Sequence, residues 1–365
     1  MTTAFKLAHT TGTDAGSLAR RLLEQLGDLP EGANLGFIYT TDALARELEA
    51  LLRLLREGTG IEDWVGTVGI AISVTSHEYY DQPAAAVMVG SLPADSFQLL
   101  PQATAAVPEI GADITFGLVH GDPTNPNTPA LVESLGGHET AFFAGGITSS
   151  QSDNLQVAGD VARGGISGVL FRDAVPVITS HTQGCTPIGP KHRISECQRN
   201  ILVGLDGQPA LDVFNDDIGE VLAKDLNRVG GYIFAAFPIA GSDTGDYLVR
   251  NLIGIDTGQK LIAIGDYLEE DAQIMFCRRD GNTARQDMQR MLDDLKKRAG
   301  DREIAGGIYV SCLGRGRHQF GDDSEELRMI SDTLGEFPLV GFFANGEIFN
   351  SRLYGYTGVL SLFLR

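Results

Sequence analysis

The sequence predicts an α/β fold in which mixed β-sheets carry flanking helices, arranged as two related halves built from repeated strand–helix–strand units. Three observations carry this prediction. One grammar of apolar strand, polar or glycine-rich loop, amphipathic helix and second apolar strand occurs three times along the chain, beginning near Leu35, Ile114 and Ile308. Stretches between the second and third copies read as antiparallel pairs, so the sheets are mixed rather than purely parallel. At 365 residues and 43% apolar composition, the chain can bury one large core or two moderate ones.

The first helix is expected at 15–26, where Leu18, Leu22, Leu23 and Leu26 share a face and Gly27 supplies the stop. Residues 35–39 form a short aromatic and aliphatic run that suits a buried strand. Thr40, Thr41 and Asp42 then provide an N-cap region. A helix carrying Leu44, Leu48, Leu51, Leu52 and Leu55 follows and is expected to end at Gly58. The next strand, from Trp64, contains Gly66 and Gly69.

The second copy starts with the strand from Ile114 and a loop holding Pro123 and Pro126. Thr128-Pro129 opens a short helix with proline at its first position, Leu131 and Leu135 face inward, and Gly136-Gly137 ends it. Its second strand runs into Gly145-Gly146. Residues 165–171 and 175–183 are then expected to form a hairpin turning at Arg172-Asp173, and 261–265 with 272–277 a second pair. Residues 284–299 form an amphipathic helix with Met288, Met291, Leu292 and Leu295 buried; Lys296, Lys297 and Arg298 suit its C-terminal dipole.

The third copy has the clearest grammar. Its strand at 308–311 leads into a loop with Cys312, Gly314, Arg315 and Gly316. Asp322 and Glu325 have capping-box spacing, Leu327, Ile330 and Leu334 form a buried face, and the strand at 339–343 closes on Gly346-Glu347. A domain boundary is expected within 206–230, dividing the chain into 1–210 and 211–365.

Composition excludes several roles. The formal net charge is −20, from 48 acidic and 28 basic side chains, which opposes binding to nucleic acid or anionic lipid. No apolar run approaches the roughly 20 residues that span a bilayer, so a cytoplasmic protein without membrane insertion is expected. Cys185, Cys197, Cys277 and Cys312 include no C-x-x-C pair. The order His181, Cys185, His192, Cys197 does not fit common zinc spacings, and no metal is assigned. Phosphate-loop, zincin and nucleophile-elbow motifs are absent, which weighs against an enzyme without closing that reading.

Cys312, Gly314-Arg315-Gly316, Phe320, Glu325, Leu334-Gly335, Pro338, Gly341-Phe342 and Gly346-Glu347 together resemble the C-terminal signature of the FIST family. Gly145-Gly146, the stretch 184–189 and the segment from Asn200 to Leu211 resemble the late part of that family's N-terminal module, so the likeness spans about 34–350. Where many relatives carry a longer turn ending in Glu, this chain has Gly66-Thr67-Val68-Gly69-Ile70. The resemblance implies a bacterial sensory protein that binds a small molecule, with amino acids the proposed class. It also implies action on a signalling partner in trans, since no output domain is expected. Some relatives bind haem and sense nitric oxide, which makes haem on His120, His181, His192 or His318 an alternative; no other cofactor is expected.

The ligand-binding residues expected on this basis are Arg315, Glu347, Cys312, Gly314, Gly316, Gly346, Gly145, Gly146 and Glu325. A guanidinium at a glycine-rich strand end can grip a carboxylate in bidentate fashion, and Glu347 could accept from a ligand ammonium. Each has a plainer reading. Arg315 could instead bridge to Glu325 or Glu347 and fix the loop, and Glu325 could cap a helix. Cys312 could be a buried thiol rather than a nucleophile.

Overall fold

The computed structural model describes residues 4–223, 225–226, 229–239 and 247–365. Positions 224, 227 and 228 of the expected boundary window lie outside the described residues. The chain forms two compact units, Met1–Gln183 with Arg285–Arg365, and Gly184–Ala284. The architecture is α/β with mixed sheets.

The first unit repeats one plan three times. In each repeat two parallel strands flank a helix: Leu35–Thr41 with Trp64–Gly69, Ile114–Gly121 with Phe142–Ile147, and Ile304–Cys312 with Leu339–Ala344. A returning strand then inserts antiparallel beside the first strand: Ala84–Ser91, Ile166–Arg172 and Thr357–Leu364 respectively. An outer strand closes that edge: Ala4–Thr11, Phe97–Ala103 and Val177–Gln183.

The other edge of each sheet is completed by a hairpin from a different repeat. The hairpin Ile72–Val74/His77–Tyr79 of the first repeat extends the third repeat's sheet. Gln156–Ala158/Asp160–Ala162 of the second extends the first, and Glu347–Phe349/Arg352–Tyr354 of the third extends the second. The exchange is cyclic and leaves three six-stranded sheets of one common order. Their inner faces share an apolar core, with Phe37 and Met88 from one sheet, Leu118 and Phe171 from the next, and Val310 and Phe363 from the third. Helices cover the outer faces: Ala15–Leu26 and Leu48–Thr59 pack on Ile38 and Val87, and Thr128–Ser134 packs on Val119 and Phe143. Strands enclosed on both sides read as nearly continuous apolar runs.

Local signals set most element ends. Asp14 Oδ1 accepts the Ser17 N–H at 2.9 Å, and Gly27 takes φ 55° to stop the first helix. The second helix enters through a 3-10 turn, Asp42–Glu47, and ends at Gly60 (φ 70°), so the expected stop at Gly58 falls inside it. The long helix is Gly281–Ala299, with Met288, Met291, Leu292 and Leu295 fully buried. Ser324 (φ 57°) starts the helix Glu325–Leu334 without a side-chain cap, so the expected Asp322–Glu325 capping box does not form. The Ser324 hydroxyl instead accepts the N–H of Glu78, from the borrowed hairpin.

Both expected antiparallel pairs are corrected. Ile166–Arg172 has both edges filled, by Phe97–Ala103 and Ile114–Gly121, so the chain leaves that sheet through Pro176 and Val177–Gln183 pairs with Thr357–Leu364. In the second unit Leu261–Ile264 pairs with Ile201–Leu205 and Tyr247–Asp256, while Gln273–Arg279 pairs with Cys185–Pro187, His192–Gln198 and Ile233–Pro238. Among the described residues that unit closes on itself as an antiparallel barrel. Ile194, Leu202, Ile233 and Phe276 fill it together with Phe214 of helix Ala210–Ile218.

Candidate functional site

The loop expected to carry function leaves the C-terminal end of Ile304–Cys312, beside the parallel strand Leu339–Ala344. Strand alternation sends Val310 into the inner core and turns Tyr309 and Ser311 toward the helices. There they meet Glu326, fully buried in the first turn of Glu325–Leu334. The Glu326 carboxylate accepts from Tyr309 Oη at 2.6 Å, Ser311 Oγ at 3.2 Å, the Gly316 N–H at 2.8 Å and Arg315 Nε at 2.7 Å. Arg315 is itself at 0% exposure and lies over the Phe320 ring, 5.0 Å from its centroid.

The internal partner of Arg315 is therefore Glu326, not Glu325 or Glu347. Glu325 faces outward and pairs with Arg285 at 3.1 Å. One residue along a helix is a rotation of about 100°, enough to exchange solvent for core. The Arg315–Glu326 pair is not fully matched. Nη1 has no hydrogen-bond partner, and Nη2, although 2.7 Å from Glu326 Oε1, is not aligned to donate to it.

Glu347 begins the borrowed hairpin strand opposite Gly146 and is completely buried. Its Oε2 accepts from the Thr357 N–H at 3.1 Å and Thr357 Oγ1 at 2.7 Å, while Oε1 has no partner. Burial pushes its pKa up to about 8, against the lowering influence of Thr357, Arg315 and Cys312. Glu347 therefore holds its proton at neutral pH and offers a neutral carboxyl. Cys312 is half-buried, and burial followed by the neighbouring Glu347 drives its thiol pKa upward, which opposes a thiolate nucleophile.

The glycines bring backbones together. A Cβ on Gly145 would lie 1.9 Å from the Val119 carbonyl oxygen, and Gly66 and Gly341 have the same relation to Ile38 and Tyr309, at 1.7 Å each. These three hold one register position in the three repeats, an equivalence the sequence pattern did not reveal. Gly146 meets Val310 and Ala344, Gly346 has φ 137°, and Gly314 lies under the Tyr356 ring. Gly316 takes φ 51°, with Tyr80 Oη 2.0 Å from where a Cβ would stand, so no side chain fits there.

Sequence reasoning missed Glu326, Tyr309, Ser311, Thr357 and Glu78. Glu326 carried a signal: it lies four residues before Ile330, on the apolar stripe. Glu78 had none, because it arrives on another repeat's hairpin. Its Oε1 is buried without a partner, and burial, then Glu326, raises its pKa to about 8. The outer cover of the loop is Tyr80, with the Arg317 guanidinium 4.3 Å from its ring centroid and Arg317 paired to Asp81 at 2.6 Å.

Among the described residues no group of three or more His, Cys, Asp or Glu side chains could hold a metal ion. The four histidines considered for haem have different surroundings. His120 is sealed in the core against Tyr39 and Phe342, and burial lowers its pKa to about 3. His181 packs on Phe349 and Tyr354, His192 has a carboxylate at each ring nitrogen, and His318 is exposed.

A family model described as the FIST N domain matches residues 34–208, and one described as the FIST C domain matches 210–350. An uncharacterized protein of Mycobacterium bovis is 30% identical over 387 residues, covering 98% of this chain and 96% of its own length. An uncharacterized protein of Mycobacterium tuberculosis (strain H37Rv) is 29% identical over 327 residues, covering 82% of this chain and 83% of its own. The two family matches meet inside the unit Gly184–Ala284.

Proposed function

The chain belongs to the FIST family, whose domains are associated with sensory signal transduction, and from that premise we propose that it senses a small carboxylate-bearing metabolite. An amino acid is the leading class. The site is the Arg315 loop, and the bound protein acts on a signalling partner in trans. Free cysteines, and the lack among the described residues of a helix long and apolar enough to cross a membrane, support a cytoplasmic setting.

One observation carries this reading. Arg315 Nη1 and Glu347 Oε1 are buried polar atoms without partners, on neighbouring strand ends of one repeat. Leaving such groups unmatched costs about 1–3 kcal/mol each. A ligand carboxylate would accept from the free edge of Arg315, while the Glu347 carboxyl would donate, or accept from an ammonium once it ionises. Gly314, Gly316, Gly346, Gly145 and Gly146 allow close backbone approach, Cys312 lines the strand end, and Glu325 with Arg285 stands at the rim.

Arg315 and Glu347 are sealed, so binding requires Tyr80 and the Arg317–Asp81 pair to give way. A ligand that stabilises the opened loop shifts its population, and this supplies a signal. The test is a melting screen with amino acids and organic acids. Stabilisation rising with ligand concentration, and weakened in Glu347→Gln, is expected. A flat screen refutes the proposal.

A further inference from the structure

The second unit holds a cluster of ionisable groups that the Arg315 site does not use. His192 opens the strand His192–Gln198, Asp206 occupies the turn after Ile201–Leu205, and Asp217 lies in the last turn of Ala210–Ile218. His192 Nδ1 is 2.7 Å from Asp206 Oδ2, and Nε2 is 3.0 Å from Asp217 Oδ2. The side chains of His192 and Asp217 are each only 9% exposed. A neutral imidazole has one N–H and can satisfy one carboxylate; two such contacts need both ring protons, hence the imidazolium.

The two aspartates are held differently. Asp206 is anchored without His192, because its Oδ1 accepts the Arg193 N–H at 2.9 Å and its backbone sits in the left-handed region at φ 52°. Asp217 is pressed by the Gly189 backbone, where a Cβ would stand 2.4 Å from its Cγ. We infer that His192, Asp206 and Asp217 form a pH-responsive clamp that fastens the end of helix Ala210–Ile218 to the barrel and opens when His192 loses its proton.

The surrounding charges support this direction. Burial alone would lower the His192 pKa, but the bonds and charges of Asp206 and Asp217 override it and leave it raised above 6.5. Burial raises Asp217, with Asp216 adding to the rise and His192 opposing it. The Arg193 N–H bond, then His192, lowers Asp206. Arg193 also pairs with Asp271, and the Lys260–Asp212 pair sits at the other end of the helix. A raised His192 pKa means that its contribution is fully present below 6.5 and is lost as pH rises through the folded value. The anchored Asp206 keeps the remaining ring proton, and the Asp217 contact is the one that breaks.

Hydrogen exchange on the full chain from about pH 6 to pH 9, corrected for intrinsic rates, tests the clamp. Amides of residues 211–219 should lose protection, by up to about tenfold per pH unit, as pH rises from 6.5 to the raised His192 value and then level off, while helix Ala15–Leu26 stays constant. His192→Gln, which cannot titrate, should show lower protection with no such pH step. A flat wild-type profile, or an equal step in His192→Gln, overturns the clamp. Should that variant not fold, the wild-type ring ¹⁵N shifts decide. Imidazolium shifts for both nitrogens below the transition are expected, and a neutral ring there overturns it.

Discussion

Replacing Glu347 with Gln should stabilise the protein at neutral pH. Glu347 is fully buried, and burial raises its pKa from 4.5 to about 8. The folded state therefore binds this proton more tightly than the unfolded state does. The stability contributed is complete below 4.5 and is lost as pH climbs through about 8. Each pH unit in that window removes about 1.4 kcal/mol, so the wild type has lost about 3 kcal/mol by pH 7. Glutamine keeps an oxygen to accept from the two Thr357 donors and has no proton to lose. The fold already uses glutamine this way: Gln156 holds the equivalent register position, accepting from Ser167 Oγ and donating to the Gly165 carbonyl. Urea denaturation at pH 5, 6, 7 and 8 reads the difference between variant and wild type, which cancels the parallel titration of Glu78. The difference should grow in favour of Glu347→Gln to about 3 kcal/mol at pH 7. A pH-independent difference, or a variant less stable than wild type at pH 7, would refute the reasoning.

Glu326→Gln should destabilise by about 3–5 kcal/mol, because it strands the buried Arg315 cation; equilibrium denaturation checks it. Glu325→Gln should change the same measurement by about 0–1 kcal/mol, since the Glu325–Arg285 pair is partly exposed. Gly341→Ala drives a methyl to 1.7 Å from the Tyr309 carbonyl oxygen and should cost more than about 2 kcal/mol, read as a fall in Tm; unchanged melting would contradict the close strand approach. Cys312 should label slowly with a thiol reagent at pH 7 and faster with rising pH, as burial holds the proton on sulfur; rapid labelling at pH 6 would contradict this.

Helices were legible where an apolar stripe ran into a glycine stop, as with the leucines of Ala15–Leu26 and Gly27. The three parallel strand pairs were legible because each carries its own apolar run and intervening helix. Strand partners were not legible. Ile72, Gln156 and Glu347 share one register position in the three borrowed hairpins but no chemistry, so nothing local marks the exchange. The turn at Arg172-Asp173 resembles a hairpin, yet its partner edge was already taken by Phe97–Ala103. In the site, Arg315 and Glu347 stood out as charges on glycine-rich strand ends. Glu326 was hidden one residue from Glu325, whose spacing from Asp322 read as a cap. The left-handed Ser324 starts the helix differently and turns Glu326 inward.

The most direct test of the Arg315 site is difference hydrogen exchange on the intact chain, with and without a pooled panel of amino acids and organic acids. The Gly316 N–H rests on Glu326 and the Thr357 N–H on Glu347, so both amides report on the site. Binding at this loop predicts changed protection concentrated in residues 312–320 and 347–357. No change anywhere, or a change confined to residues 184–284, would contradict it.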